Sequence, residues 1–293
     1  MPDEGTGRPV AVVTGTTGGI GGALAPILVK SGWDLALINR SAAHTEDIAA
    51  SLRRTEPQAD IGVFEADLAD HGAIKTAADA IAERYNAVHA LFNVAGYLGS
   101  DLKFSPQGHD LHFELNTLGP LLLTDHLCQA LAKGAVERGR CVVVNTSSNA
   151  IGMSGPLNVD RLTHNPKQGI FGAYGQTKLA LTAATNALAG DYAKDNIHLY
   201  AVDPGSNRSA MTKGQSAPFF VRWMSSLLPG PETGAAKLMA PLNAEARFAP
   251  GALIVGGKPK PQPKQAGEAA NVAALMTLLR DKAGLDLSTQ AGR

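Results

Sequence analysis

Short apolar runs alternate with longer stretches of helical periodicity through the first two hundred residues. The runs mostly lack every-second-residue alternation, which is typical of strands buried on both faces of a parallel sheet. The predicted strands are Val10–Thr14, Leu35–Asn39, Ile61–Glu65, Ala90–Val94, Cys141–Thr146 and His198–Val202. The predicted helices are Ile20–Ser31, Glu46–Arg54, Ala73–Tyr85, His109–Lys133 and Ala173–Lys194. This order predicts right-handed βαβ units in an α/β fold, a doubly wound parallel sheet with helices on both faces.

The last third of the chain is less regular, and prolines interrupt 206–250. The apolar run 251–257 has glycines at both ends and predicts a seventh strand. The proline-rich, basic stretch 258–264 predicts an extended, solvated connector. Four apolar residues then recur at helical spacing and predict a final helix that packs back on the domain: Val272, Leu275, Met276 and Leu279. We therefore predict one domain over 1–293, with its core at 8–257 and a C-terminal extension at 258–293.

Capping residues agree with these helix predictions. Gly32 follows the first helix where a C-cap glycine belongs. Asp70 and Ser105 stand where the third and fourth helices need N-caps.

Composition and charge exclude several classes of protein. The 293 residues include 26 basic and 26 acidic side chains, so the charge pattern of a general nucleic-acid binder is missing. No apolar run approaches the roughly 20 residues that span a bilayer, and the N-terminus does not resemble a secretory signal. Cys128 and Cys141 form no CxxC pair, which favours two reduced, buried thiols. We expect a cytoplasmic protein without a membrane span or a nucleic-acid partner.

A glycine-rich turn, TGTTGGIG at 14–21, joins the first strand to the first helix. Glycines at such a turn allow a tight bend and a close approach of the backbone to a pyrophosphate, which the N–H groups of the helix N-terminus then bind. A glycine-rich turn without a ligand is the alternative. The position of this turn at the start of a βαβ chain favours dinucleotide binding.

Tyr174 and Lys178 are four residues apart, so their side chains lie on one helical face. A phenol with a pKa of roughly 10 is a poor acid or base at neutral pH. A nearby ammonium favours the phenolate, so we expect Lys178 to lower the pKa of Tyr174 toward the working pH.

Seven motifs occur in the order of the short-chain dehydrogenase/reductase family, and together they resemble it over roughly 8–257. They are TGTTGGIG at 14–21, Asp67-Leu68, NVAG at 93–96, Asn116, Ser147-Ser148, YGQTK at 174–178 and Pro204-Gly205 with Ser209. The resemblance implies a single Rossmann-like domain of about seven strands and an NAD(P)-dependent oxidoreductase acting on a carbonyl or alcohol. The cofactor-binding residues that it implies are Gly15, Thr17, Gly19, Ile20, Gly21, Asp67, Leu68, Asn93, Ala95, Gly96, Tyr174, Lys178, Pro204, Gly205 and Ser209.

The same resemblance assigns the catalytic roles. Tyr174 would be the general acid or base, and Lys178 would hold the nicotinamide ribose. Ser148 would hydrogen-bond the substrate carbonyl, as an oxyanion-hole donor does, with Ser147 as the alternative. Asn116 would support a water that connects Lys178 to solvent.

Ser148 and Tyr174 are 26 positions apart, which is more than in compact family members. This length and the sequence LNTLGPLLLTDHL at 115–127 are similar to the retinol-dehydrogenase-like and protochlorophyllide-reductase-like branch. The tail 231–257 is more similar to the compact branch. We expect the insert 152–169 to lie beside the substrate pocket.

The end of the second strand indicates which nicotinamide cofactor is used. An acid there would bind the ribose 2′-hydroxyl and repel a 2′-phosphate, but Asn39, Arg40 and Ser41 occupy the place. Because guanidinium suits phosphate geometry, we predict NADP(H) over NAD(H), with Arg40 on the 2′-phosphate. A solvated Arg40 without a ligand is the alternative.

The segment 206–240 is where the family has its substrate lid. Five apolar side chains within it fall on one helical face: Phe220, Trp223, Met224, Leu227 and Leu228. An apolar flap over an apolar substrate and ordinary helix packing are equally good interpretations of this face. The eight histidines include His109 and His112 but no metal-binding motif, so we expect no metal site.

Two other functions stay open. An epimerase or dehydratase of the extended branch also uses YxxxK, but with a Gly-x-x-Gly-x-x-Gly turn and a larger C-terminal domain. A non-catalytic NADP(H) sensor on the same fold is the other possibility. Family members usually pair through the fourth and fifth helices, and this resemblance implies a homodimer. If the insert and the last helix cover those two helices, the protein would be a monomer.

Overall fold

The computed structural model describes residues 7–99, 101–164, 170–207, 229–243, 248–266 and 268–284. Within them one sheet has eight strands in the order β3-β2-β1-β4-β5-β6-β7-β8. The strands are β1 Val10–Thr14, β2 Asp34–Asn39, β3 Ile61–Glu65, β4 Ala90–Asn93, β5 Cys141–Thr146, β6 Ile197–Asp203, β7 Leu253–Val255 and β8 Lys258–Lys260. The first seven strands are parallel, and β8 pairs antiparallel with β7. The predicted α/β doubly wound fold is therefore confirmed.

Helices cover both faces of this sheet. They are α1 Gly19–Lys30, α2 Ala42–Thr55, α3 His71–Tyr85, α4 Leu111–Phe113, α5 Gly119–His126, α6 Cys128–Arg138, α7 Ile170–Ala193, α8 Pro231–Leu238 and α9 Ala269–Ala283. A π-helix at Glu114–Leu118 joins α4 to α5. Short 3-10 helices cover Asn149–Met153, Val159–Arg161, Ala240–Leu242 and Lys264–Ala266.

The core has two layers because side chains alternate across each strand. In β1, Ala11 and Val13 pack with α1, α2 and α8 on one face. Val12 packs with α3, α5, α6 and α7 on the other. All three side chains are fully buried, which explains the unalternated apolar runs in the sequence.

The basic segment after 257 is extended and exposed at Lys258–Lys260, as predicted, but these residues also pair with β7 as the edge strand β8, which the sequence did not predict. The fourth helix and its N-cap differ from the prediction. The fourth helix was expected to be continuous over 109–133. It is instead broken by the π-helix and by a boundary at Leu127, and it extends to Arg138. Its N-cap is Asp110, whose carboxylate accepts from the His112 N–H at 2.8 Å, rather than Ser105.

Other capping predictions are confirmed. Asp70 accepts hydrogen bonds from the backbone N–H groups of Gly72 and Ala73 and so caps α3. Gly32 follows the C-cap of α1 with a left-handed φ of +87°. The second helix begins earlier than predicted, since Ser41 accepts from the His44 N–H and caps α2.

The C-terminal extension packs back on the domain, as predicted. Leu275, Met276 and Leu279 are buried against α7. The insert after β5 contacts the same region, because the Leu157 N–H donates to the Gln265 carbonyl at 3.2 Å. Ser209 and the apolar face of the predicted lid, residues 220–228, lie outside the described residues.

Candidate active site

A cleft with a cavity volume of about 920 Å³ opens at the carboxyl ends of the parallel strands. Ligands bind at this edge in doubly wound sheets because the strand order reverses there, here between β1 and β4. Fourteen of the predicted cofactor-binding residues line it: Gly15, Thr17, Gly19, Ile20, Gly21, Arg40, Asp67, Leu68, Ala95, Gly96, Tyr174, Lys178, Pro204 and Gly205. The sequence motifs therefore converge on one site.

The glycine-rich turn has no room for side chains where it meets the sheet and the helix. Gly15 has a φ of +75°, and a Cβ there would lie 2.9 Å from the Ala95 Cα. A Cβ on Gly21 would overlap the Gly15 carbonyl oxygen. The α1 N-terminus has Gly18 as N-cap and no side-chain cap. An uncapped helix start beside a cleft fits the pyrophosphate of a dinucleotide.

Thr14 joins this turn to the neighbouring strand, a role the sequence analysis did not assign. Its hydroxyl accepts hydrogen bonds from the N–H groups of Val94 and Ala95, at 2.9 and 3.0 Å. The ends of β1 and β4 are thereby held together at the point where the cleft opens. The available signal was a threonine directly between a strand and a glycine turn.

Asn39 and Arg40 are neighbours at the end of β2, but their side chains have different surroundings. The Asn39 amide is buried and donates to the Thr16 hydroxyl at 2.8 Å, so it supports the glycine-rich turn. Arg40 lines the cleft and is exposed. No hydrogen bond or ion pair ties its guanidinium to another described residue. Arg40 is thus available for an anionic ligand.

Asn93, predicted to bind cofactor, is not brought to the cleft lining. Its amide group donates to the side-chain oxygens of Asn145 and Thr124 and to the Pro120 carbonyl oxygen. Asn145 in turn donates to the Thr185 hydroxyl at 2.9 Å. This buried network joins β4 and β5 to the helices beneath the site, which indicates support rather than contact with a ligand.

Tyr174 and Ser148 both line the cleft, and the Ser148 hydroxyl is close enough to the Tyr174 phenol to lower its pKa. Both side chains are half-buried. The neighbouring Ser147 is buried, and its hydroxyl hydrogen-bonds instead to Thr182 at 2.8 Å. The geometry therefore favours Ser148 over Ser147 as the partner of Tyr174.

The electrostatics of Tyr174 differ from the expectation. Burial raises the pKa of Tyr174, the Ser148 hydrogen bond lowers it by less, and the Asp203 charge raises it further. We had expected the Lys178 ammonium to lower this pKa, but desolvation of the phenolate outweighs any such effect here. Tyr174 is consequently a protonated phenol at neutral pH.

Lys178 is buried, and its ammonium donates to the Thr146 carbonyl oxygen at 2.8 Å. Burial lowers the pKa of Lys178 to about 8 because a buried ammonium loses hydration. The ammonium lies one helical turn from Tyr174, as the spacing predicts. It is positioned to donate to a ligand in the cleft.

Asn116 lies within the π-helix and is fully buried. Its side chain accepts from the Tyr97 N–H at 2.8 Å and donates to the Tyr97 carbonyl at 2.9 Å. It also donates to the Thr177 hydroxyl, next to Lys178. Asn116 thereby clamps the loop after β4 to the helix of Tyr174, and it supports the site from outside the cleft lining.

The cleft beyond Tyr174 is mostly apolar. Met153 of the insert lines it and is 65% exposed. This confirms that the insert borders the pocket. The other side chains on this wall come from the loop after β4, the π-helix region and the 3-10 helix after β5: Tyr97, Leu98, Leu111, Leu115 and Ala150. Lys103 adds one cation at this side.

Several histidine rings hydrogen-bond to carboxylates. Glu114 is fully buried, and its carboxylate contacts the rings of His71 and His109. His112 pairs with Asp110 at 3.1 Å. Within the part of the chain described, no group of three potential metal ligands occurs. Neither Cys128 nor Cys141 forms a disulfide; Cys141 is buried as expected, whereas Cys128 is only half-buried.

A parallel α/β sheet with a dinucleotide cleft and a Ser, Tyr and Lys set at its edge defines a nicotinamide-dependent oxidoreductase. The family model of short chain dehydrogenases matches residues 9–218. The chain belongs to the short-chain dehydrogenase/reductase family.

Curated relatives agree with this assignment, and a solved structure agrees with the fold. Short-chain dehydrogenase/reductase drtF of Aspergillus calidoustus is 26% identical over 87% of each chain. Human retinol dehydrogenase 11 is 30% identical over 77% of this chain and 70% of its own length, which confirms the similarity to the retinol-dehydrogenase-like branch. An uncharacterised protein from Mycobacterium paratuberculosis superposes with a TM-score of 0.75 at 21% identity, covering 97% of this chain and 96% of that one. Among the described helices, none is long and apolar enough to cross a membrane.

Proposed function

We propose that this enzyme transfers hydride between NADP(H) and an apolar carbonyl or alcohol, with Tyr174 as general acid and base. The observation that carries the proposal is the convergence of Tyr174, Ser148 and Lys178 on one cleft, with Lys178 held by the Thr146 carbonyl oxygen. The glycine-rich turn and the uncapped α1 N-terminus supply the dinucleotide half of the same cleft.

The protein residues would act on the proton and on the oxygen, while the nicotinamide would supply or accept the hydride. In carbonyl reduction, the Ser148 hydroxyl donates a hydrogen bond to the substrate oxygen. Tyr174 gives its proton to that oxygen, so a carbonyl becomes an alcohol and Tyr174 becomes a phenolate. In alcohol oxidation the proton returns to Tyr174. The raised pKa of Tyr174 keeps its phenol protonated at neutral pH, which is the state that proton donation requires, although it makes the phenol a weaker acid.

Cofactor choice rests on the end of β2. The Asn39 amide is engaged by Thr16, which leaves the exposed Arg40 guanidinium as the charged group at this position. A guanidinium binds a phosphate through charge-assisted hydrogen bonds. This supports NADP(H) over NAD(H).

Substrate class rests on the apolar wall beyond Tyr174. Leu98, Leu111, Leu115 and Met153 offer surface to an apolar group placed next to the reacting oxygen. The relative at 30% identity is named for retinol, an alcohol with a long apolar chain. The cytoplasmic location and the choice between homodimer and monomer stay predictions.

The test is oxidation of NADPH and NADH by the purified protein across quinones, aromatic aldehydes, retinal, steroids and sugars. Tyr174→Phe removes the proton donor, and Tyr192→Phe is a matched control because Tyr192 is a buried tyrosine of the same helix outside the cleft. We expect turnover with NADPH that is lost in Tyr174→Phe and kept in Tyr192→Phe. Binding of NADPH without turnover on any carbonyl would favour the sensor function instead.

A further inference from the structure

The end of β6 contains a carboxylate that the roles assigned so far do not use. Asp203 is only 5% exposed, yet it lines the cleft together with Tyr174 and Lys178. It directly precedes Pro204 and Gly205, the turn that we propose to contact the cofactor. A buried acid at this place costs solvation energy, so its partners and its effect on the cleft need an explanation.

Backbone donors hold the Asp203 side chain in place. Its Oδ1 accepts a hydrogen bond from the Gly205 N–H at 2.7 Å. The N–H of Asn149, in the loop after β5, also interacts with the same carboxylate and lowers its pKa. Hydrogen bonds from N–H groups to a carboxylate stabilise its charged form. Asp203 therefore ties two loops of the site together and keeps an acceptor-only group fixed in the cleft.

The charge of Asp203 acts on Tyr174. It raises the pKa of the Tyr174 phenol, which means that the two groups are within electrostatic range. Burial raises the pKa of Asp203, and Lys237 of α8, whose ammonium donates to the Pro204 carbonyl oxygen at 3.1 Å, offsets part of that rise. Among the described residues that line the cleft, the acids are Asp203 and Asp67, and Asp67 follows β3, where the family resemblance implies a contact with the adenine.

Oxidised and reduced nicotinamide cofactors differ in charge only at the nicotinamide ring. The oxidised ring is a cation and the reduced ring is neutral, while the adenosine and phosphates are identical. An anion fixed near the ring therefore favours the oxidised form, and an anion near the adenine affects both forms equally.

We propose that Asp203 is a specificity-determining residue for the oxidation state of the cofactor, because its carboxylate stabilises the positively charged nicotinamide over the neutral one. The inference rests on the proposed function, since it needs the nicotinamide half of the cofactor beside Tyr174 and Lys178. It adds that the product form of the cofactor in carbonyl reduction is held more tightly than it would be without this acid.

The experiment measures the Kd of NADP⁺ and of NADPH for each variant by calorimetric titration at pH 7, without substrate. Asp203→Asn keeps a side-chain oxygen for the Gly205 N–H and removes the charge. We expect it to raise the ratio of the NADP⁺ Kd to the NADPH Kd by roughly tenfold, the size of a charge interaction through partly screened surroundings. Asp67→Asn is the matched control, which should change both Kd values by the same factor.

A second variant, which should change the ratio of the two Kd values in the opposite direction, tests the inference if Asp203→Asn does not fold. Lys237→Met removes the cation that offsets Asp203, so the same ratio should fall. Any contact of Lys237 with the phosphates cancels in this ratio, because both cofactor forms carry them. The melting temperature of each variant reports whether it is folded.

An unchanged ratio in both Asp203→Asn and Lys237→Met would overturn the inference and leave Asp203 as a structural tie between two loops. That result is distinct from failure of the proposed function, in which the wild-type protein binds neither form or binds both without turnover. Wild-type protein that binds neither form would overturn both proposals.

Discussion

The ammonium of Lys178 donates a hydrogen bond to the carbonyl oxygen of Thr146, with 2.8 Å between the two atoms. This bond joins α7 to the end of β5, where the Ser147-Ser148 segment begins. It fixes Lys178 relative to both Tyr174 and Ser148, so the three groups are positioned before any ligand binds. Such preorganisation is what an active site needs, because no reorganisation is then required during the reaction.

Protonation of Lys178 should control kcat/KM for NADPH at alkaline pH. Its pKa is lowered to about 8, so the ammonium loses its proton as the pH rises through that value. We expect kcat/KM for NADPH, which reports groups of the free enzyme, to fall above about pH 8. Steady-state kinetics between pH 6 and 10 measure this limb.

The variant Lys178→Arg identifies the group whose deprotonation causes this fall in kcat/KM. A guanidinium stays charged throughout this range, so the fall above about pH 8 should disappear even if the activity is lower overall. A limb at the same pH in Lys178→Arg would assign it to another group of the cleft.

Removal of the Ser148 hydroxyl should affect the chemical step. Ser148→Ala loses the donor to the developing oxyanion, and we expect kcat to fall by about 100-fold or more. Ser147→Ala is the informative comparison, since its hydroxyl bonds Thr182 and its loss should lower stability by about 1 kcal/mol. The reverse pattern would make Ser147 the substrate-facing serine.

The charge of Arg40 should decide between the two cofactors. Arg40→Ser is expected to raise KM for NADPH by roughly tenfold, since a charge-assisted contact is worth about 1.5–3 kcal/mol and this one is partly solvated. KM for NADH should change little. Arg54→Ser, at an exposed arginine of α2 away from the cleft, should alter neither value. Equal effects of Arg40→Ser on both cofactors would contradict recognition of the 2′-phosphate.

Substitution by alanine should change the free energy of unfolding in opposite directions at two helical glycines. A Cβ on Gly134 in α6 would overlap the Val88 carbonyl oxygen, so Gly134→Ala should destabilise the fold by about 1–3 kcal/mol. Gly190 in α7 is exposed with open space around its Cα, so Gly190→Ala should stabilise by about 0.5–1 kcal/mol. Urea unfolding measures both changes. A stable Gly134→Ala variant would mean that α6 can move away from the sheet.

The local pattern of apolar and polar residues determined much of the fold of this protein. Buried parallel strands produce unalternated apolar runs, and helices between them produce the 3.6-residue period, so the sheet and its order of elements follow from the sequence. The Tyr174–Lys178 pairing also followed, because a spacing of four residues on a helix fixes a common face. The π-helix before α5 did not, since its extra residue per turn leaves no distinct periodicity in so short a segment.

Tertiary structure decided what depends on residues far apart in the chain. The β8 strand exists because Lys258–Lys260 finds an open edge at β7, which a proline-rich sequence does not reveal. Asn93 and Asn116 match family motifs, yet both side-chain amides are hydrogen-bonded within the protein. Asn93 donates to Asn145, and Asn116 bonds the backbone of Tyr97. The rise in the pKa of Tyr174 likewise depends on burial and on the Asp203 charge, and neither is encoded in a local spacing.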